Sequence, residues 1–262
     1  MQALYVFGNF IERNINSGRY RLDNKGFICS YLLVRAFRII RAIFRSERYT
    51  TSEESLLLIR SLYEIYCKLT YASRSNQNSK YLIDSDLGLA LGYYEFLQKD
   101  GKLKRHILVH KKSGKTIPRT RSFYDCVACS PYPEDTRLFE VLYDYLSSFV
   151  HSGSRHVLKT WGNKNSGFSL INDDEDEHLK IFVLVLTTLI SSMIMQILLR
   201  RRKISHISRR DMSLFCYVTR KIVADVGTPK ESEISELLPR IKARAAVLPK
   251  RVAPFRTDAN SS

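Results

Sequence analysis

Between residues 30 and 46 the apolar and basic positions separate at helical spacing. Leu32, Leu33, Phe37, Ile40 and Phe44 recur on one side, while Arg35, Arg38, Arg41 and Arg45 follow one another at steps of three, three and four. Those steps place four guanidinium groups along one stripe; with Arg200, Arg201, Arg202 and Lys203 they are the candidates for nucleic-acid binding, although the solvated face of an ordinary amphipathic helix accounts for the stripe more simply. The next helix opens on a capping box, Thr51-Ser-Glu-Glu54, in which the hydroxyl accepts the backbone N–H three residues on and the glutamate reaches back. It continues as SLLLIRSLYEIYCKLTYA over 55–72, apolar on nearly all sides, as a helix in the middle of a bundle must be. Its charges, Arg60, Glu64 and Lys68, are spaced by four, so Arg60 and Glu64 can pair along one face. A polar loop is expected at 73–79 and a weaker helix at 81–98, interrupted by Gly88 and Gly92. A third strong helix is expected over 134–151, where Glu134 and Asp135 suit the positive N-terminal end. Two more follow at 209–224 and 231–245, separated by Gly227-Thr-Pro229.

Between these helices the period fails. Residues 99–133 carry Asp100-Gly101, Ser113-Gly114 and three prolines, and the run 105–110 with 116–124 suits a small β-hairpin. Residues 152–172 read as a loop containing Trp161. The fold class expected is all-α: a helical bundle with a long central hydrophobic helix, a small β-hairpin insertion and a basic C-terminal helical appendage. Its parts are an N-terminal arm at 1–29, the bundle at 30–200 with its insertion at 99–133, basic helices at 201–249 and a disordered tail at 250–262.

The run IFVLVLTTLISSMIMQILL, 181–199, holds no charge and is bounded by DDEDE before it and RRRK after it. Its length suffices to span a bilayer, and the flanks would put Arg200, Arg201, Arg202 and Lys203 in the cytoplasm. Spanning in that sense exports the first 177 residues. A buried core helix needs no export, and acids at its start with bases at its end suit the helix dipole equally well. The buried reading is preferred, with a single-pass membrane protein as the alternative.

Charge then narrows the partners. The chain has 262 residues, with 42 Lys and Arg against 26 Asp and Glu, a net charge of +16; at 44% hydrophobic it can bury a core, which excludes collagen-like and globally disordered classes. Such a surface attracts nucleic acid, other polyanions or anionic membranes. From residue 178 onward there are sixteen Lys and Arg against six Asp and Glu, so polyanion binding is expected to centre on the C-terminal third. The opening MQALYVFGNFIER lacks the form of a signal peptide, and five cysteines make an odd number, so a reducing cytoplasmic setting with free thiols is expected.

Two constellations could carry chemistry. Tyr143, Ser147 and His151, each four apart, share one face of their helix, and Arg60 with Glu64 on the other buried helix are their natural partners. A Glu, Arg, His and Tyr meeting between helices can move protons or hold an anion; the same set also serves as a satisfied interior network, which is the preferred reading. His106, His110, Cys126 and Cys129 have internal spacings that can close a tetrahedral zinc site, although a surface histidine pair and two semi-buried thiols account for them more simply. No cofactor is expected otherwise. A glycine-rich phosphate loop, a GxSxG elbow, a paired-aspartate metal motif and a dinucleotide fingerprint are all absent from the sequence.

RSLYE at 60–64, followed about eighty residues later by YDYLSSFVHSG at 143–153, resembles a prokaryotic helical family catalogued as domain of unknown function, family 5677. The likeness covers roughly 52–199. It implies a mostly helical domain, a shared polar cluster at Arg60, Glu64, Tyr143, Ser147 and His151, and a hydrophobic helix belonging to the domain; it implies no established reaction. A more distant comparison is with HEPN-type helical ribonucleases, which place an Arg and a His four to six residues apart at a dimer seam. Arg201 and His206 in RRKISH meet that spacing, and there His206 would be the acid/base and Arg201 would stabilise phosphate charge, but Arg202 occupies the polar position after the Arg. A coincidental match within a polybasic run is preferred. The function expected is a cytoplasmic, nucleic-acid-associated helical protein, binding or cleaving RNA in a bacterial or mobile-element defence system. A membrane-anchored protein without enzymatic activity and a non-catalytic interaction scaffold are the alternatives, and a homo-oligomer is left open.

Overall fold

The computed structural model describes residues 23–46, 52–119, 121–150, 162–163, 167–168, 177–199, 206–226 and 232–249. Among these, 75% are helical, in eight helices, with a small three-stranded antiparallel sheet. In chain order the helices are α1 (Asn24–Ser46), α2 (Ser52–Arg74), α3 (Asn76–Leu82), α4 (Phe123–Val127), α5 (Pro133–Val150), α6 (Glu177–Leu199), α7 (His206–Asp225) and α8 (Ser232–Ala246). The sheet strands are β1 (Tyr94–Lys99), β2 (Lys102–His110) and β3 (Thr116–Pro118). A separate two-residue pairing joins Gly162–Asn163 to Gly167–Phe168.

Helix α2 is the hub, packing against α1, α3, α4, α5 and α6. Leu56, Ile59, Leu62, Tyr63, Tyr66, Cys67 and Ala72 on it are wholly buried, which is why its sequence is apolar on nearly every side. Helix α6 lies between α2 and α7. Its segment Leu179–Leu199 is the one described helix long and apolar enough to cross a membrane, and 83% of its apolar window is buried within the protein. Its hydroxyls are met internally: Thr187 and Ser191 donate to the carbonyls of Val183 and Thr187, and Ser192 donates to Thr219 of α7 at 2.7 Å.

Several boundaries differ from those expected. Helix α1 begins at Asn24, inside the arm assigned to 1–29, because the Asp23 carboxylate accepts the Gly26 N–H and the Asp23 carbonyl accepts that of Phe27; Ile28 and Cys29 are already core. The loop expected at 73–79 shrinks to Ser75, whose hydroxyl accepts the Asn78 N–H and starts α3. The basic appendage expected at 201–249 is no appendage in its described part. Met212, Cys216 and Val223 of α7 and Leu237, Ile241 and Ala245 of α8 belong to the same core cluster as α2 and α6, since both helices turn an apolar face inward. Residues 1–22, 200–205 and 250–262 lie outside the described residues, and so do the expected tail, Trp161 and most of the 152–172 loop.

The helix expected over 81–98 ends early. After α3 the chain widens into a π turn, Ile83–Leu87, closes with one α turn at Gly88–Ala90, and leaves the helix through Gly92 at φ +74°. Residues 94–99 are strand instead. They pair with β2 across Asp100-Gly101, both at positive φ, as a two-residue hairpin loop of mirror-image type requires. The expected 105–110 hairpin is thus the middle of a three-stranded sheet in which Leu108 faces Ile117 and Pro118 sits on the edge strand.

Gly88 holds the sheet to the helical layer, because a Cβ there would lie 2.6 Å from Cδ2 of Tyr94. The Tyr94 ring is itself held edge-on to His110 at 5.0 Å. Gly88→Ala is therefore expected to destabilise the protein by about 1–3 kcal/mol through overpacking. Adding Tyr94→Ala should make the glycine substitution nearly neutral, as measured by urea unfolding.

Candidate functional site

The Arg60 cluster assembles where α2 meets α5. The Arg60 Nε lies 3.3 Å from Glu64 Oε1, Arg60 Nη2 donates to the Tyr143 hydroxyl at 3.2 Å, and that hydroxyl is 3.5 Å from Glu64 Oε1. The guanidinium also lies over the Tyr143 ring at 5.1 Å. Ser147 does not join the cluster through its hydroxyl, which donates to the carbonyl of Tyr143 at 2.6 Å. His151 lies outside the described residues. The side chains of Arg60 and Glu64 are 15% and 29% exposed, and Arg60 Nε and Nη1 have no hydrogen-bond partner among the described residues. Both nitrogens are closed to solvent, so an anionic group would reach them only if the cluster opened.

One helical turn further, Lys68 is ion-paired with Asp86 of the π turn. Arg60, Glu64 and Lys68 thus form a polar ladder along one side of α2. Aromatic rings bridge its two ends: Tyr143 lies 5.7 Å from Phe123, and the Lys68 ammonium lies 5.8 Å from the Phe123 ring.

A second cluster, which the sequence reading missed, is fully buried. Asp135, at the start of α5, accepts hydrogen bonds from Tyr66 of α2, from Ser130 and from Nε of Arg244 on α8. Arg244 Nη2 donates to Gln196 Oε1 of α6 at 2.9 Å, and Gln196 in turn donates to the Val247 carbonyl at 2.8 Å. The Arg244 guanidinium lies 4.7 Å from the Tyr132 ring. Asp135 and Arg244 are both 0% exposed. Burial, reinforced by Asp135, pushes the Tyr66 phenol well above its ordinary value, so it stays a hydrogen-bond donor. The signal was present in the sequence: Arg244 follows Ile241 by three on an apolar face, and Gln196 is the only amide in the uncharged run 181–199. Asp135, read only as a dipole-complementing acid, is the counter-charge.

The remaining candidates are dispersed. Arg35, Arg38, Arg41 and Arg45 are all exposed along α1. Arg200, Arg201, Arg202 and Lys203 lie outside the described residues, as does the His206 side chain. The proposed zinc ligands do not converge, and no group of three or more His, Cys, Asp or Glu able to hold a metal ion occurs among the described residues. His106 is exposed on β2. His110 interacts with Ser113 and Tyr94. Cys126 is buried, and Cys129 directs its thiol at the Asp125 carbonyl. Burial pushes the Cys126 thiol up to about 12, against the pull of Lys68, and the Cys216 thiol up to about 12 as well.

No protein-family model matches the chain, and no curated protein or solved structure matches it. The likenesses to family 5677 and to the HEPN group therefore rest on the quoted motifs alone.

Removing one member of the buried pair strands the other charge in the core, so Arg244→Met and Asp135→Leu are each expected to cost about 3–5 kcal/mol. The double variant should lose clearly less than the sum of the two in urea unfolding, whereas strictly additive losses would show that the pair is uncoupled. The thiols predict alkaline sensitivity. From pH 9 toward 12 the unfolded chain releases protons that folded Cys126 and Cys216 retain, so stability should fall by about 1.4 kcal/mol per pH unit for each thiol. Replacing both by Ala should flatten that part of the profile by the corresponding slope.

Proposed function

We propose that this protein binds nucleic acid, RNA foremost, through the arginine stripe of α1. The observation that carries the reading is the stripe's composition: four arginines are exposed along one face of a helix that contains no Asp or Glu between residues 24 and 46. An ordinary solvated face intersperses both signs, while a phosphate-tracking edge does not. The opposite face, with Leu32, Leu33, Ala36, Ile40 and Ile43, is anchored in the core, so the cations are presented on a rigid rod. Of the cations in the C-terminal third, Arg244 is consumed by the buried ion pair and does not contribute.

RNA cleavage is a further step of the same reading. Its candidates are Arg60, Glu64 and Tyr143, with His151 and Ser147 beside them in sequence; the Arg60 guanidinium, whose Nε and Nη1 are closed to solvent in this structure, would meet a phosphate only once the cluster opens. A cytoplasmic setting and a place in a bacterial or mobile-element defence system belong to the same proposal. The membrane-anchored alternative needs α6 to leave the core in which it is mostly wrapped; recovery of the chain in the detergent-free soluble fraction would count against it.

Binding of a single-stranded oligoribonucleotide should weaken steeply with salt. If the four arginines each neutralise a phosphate, their share of the slope of log affinity against log salt is about −3. Replacing Arg35, Arg38, Arg41 and Arg45 by Gln should remove that share without lowering the thermal midpoint, since all four are exposed. Binding that is absent at low salt, or unaltered by the fourfold replacement, would overturn the reading. Glu64→Gln and His151→Ala that change only thermal stability would favour the non-catalytic scaffold.

A further inference from the structure

Beside the stripe, a groove of about 690 Å³ opens between α1, the π turn and the segment leading into α4. Three guanidinium-bearing side chains reach it from two parts of the chain: Arg35 from α1, and Arg119 and Arg121 from the segment between β3 and α4. None of the three is ion-paired among the described residues, and Arg119 and Arg121 rest on the rings of Phe96 and Tyr71 at 5.0 and 5.9 Å. The one carboxylate in the groove, Asp86, is already neutralised by Lys68. The lining therefore carries an uncompensated positive charge.

Its floor is apolar and aromatic, with Leu32, Leu82, Phe123 and Tyr31 among the lining residues. Set into that lining is Ser85, 2% exposed, whose hydroxyl finds no hydrogen-bond partner among the described residues. A hydroxyl left unmatched at such a place costs stability unless something else satisfies it. Ser85 is there because the π turn inserts a residue into the helix and so rotates the following side chains by about 100° relative to an α-helical course. The same turn delivers Asp86 to Lys68.

We propose that this groove binds a nucleoside phosphate, with Arg35, Arg119 and Arg121 holding the phosphate, the Phe123 or Tyr31 ring stacking on the base, and the Ser85 hydroxyl paired with a polar edge of the nucleoside. The size suits one nucleotide, and apolar walls with a few convergent polar groups are the usual composition of such a site. Guanidinium groups match phosphate oxygens in pairs, and base stacking on an aromatic ring tolerates any base. The ligand is either a free nucleotide or the terminal nucleotide of a strand. The site stands on residues outside the stripe, apart from Arg35, so it does not require the RNA reading to hold.

The test is calorimetric titration of the full chain with adenosine monophosphate, adenosine and inorganic phosphate, alongside a 5′-phosphorylated oligoribonucleotide and its 5′-hydroxyl counterpart. Saturable binding of the monophosphate is expected, with adenosine and phosphate each at least about tenfold weaker, because either alone forgoes half of the contacts. Arg119→Gln with Arg121→Gln should weaken the monophosphate by about tenfold or more, and Ser85→Ala should reduce the discrimination among nucleoside monophosphates with different bases. Arg41→Gln with Arg45→Gln should leave the monophosphate unaffected while weakening the oligonucleotide, which separates failure of the groove from failure of the stripe. A preference for the 5′-phosphorylated strand that vanishes in the Arg119/Arg121 variant assigns the groove to strand ends; monophosphate binding without that preference assigns it to free nucleotides. No monophosphate binding at millimolar concentration, or binding indifferent to the Arg119/Arg121 replacement, overturns the proposal.

Discussion

The ion pair between Arg244 and Asp135 is the constraint around which the helices are arranged. Two charges withdrawn from water are tolerated only when most of their donors and acceptors are met; Tyr66, Ser130 and Gln196 arrive together to meet them, leaving Arg244 Nη1 without a hydrogen-bond partner among the described residues. Those residues lie on α2, on the approach to α5 and on α6, so the pair fixes the mutual register of four helices. It also joins segments 109 residues apart in sequence, which draws α8 into the core. Purely apolar packing is less exacting, because a slipped helix still buries oil against oil. A slipped Arg244 would leave a bare charge.

The same helix that supplies Tyr66 to this network presents a different side to the surface. Along α2 the wholly buried Tyr63 and Tyr66 alternate at helical spacing with the ladder of Arg60, Glu64 and Lys68. One side of the rod serves stability and the other carries the reactive-looking groups. Phe123 sits between the ladder's two ends, touching Tyr143 and Lys68, and also lines the groove. The candidate chemistry of this protein is therefore collected on one side of α2, next to the arginines of α1, while the buried ion pair stays closed to solvent.

Long elements were legible in the sequence because burial imposes a periodicity that a single chain displays. The central place of α2 and the course of α5 follow from where the apolar residues fall; the existence of α6 follows too, but not its being wrapped, since a buried helix and a membrane span need the same uncharged run. The pairing of Arg60 with Glu64 and the approach of Tyr143 to both were legible for the same reason, since spacing by four puts residues on one face. The short sheet was legible only in part. Asp100-Gly101 carries a hairpin signal as strong as any in the chain, yet the apolar residues of 81–98 also suit a helix, and only the positive φ at Gly92 and the ring of Tyr94 over Gly88 decide for a strand.

By itself, then, the sequence determined which residues face inward on each long helix and which polar groups share a face, because both depend on local geometry alone. Tertiary structure decided which face meets which. It made Arg244, one of the basic residues expected in the C-terminal appendage, a fully buried cation, and Asp135, read as a dipole partner, its counter-ion. It gathered Arg35, Ser85, Arg119 and Arg121 from separate segments into one groove. Such encounters cannot be read from spacing, since the energy that selects them is the matching of charge and hydrogen bonds between segments that only meet when the whole core closes.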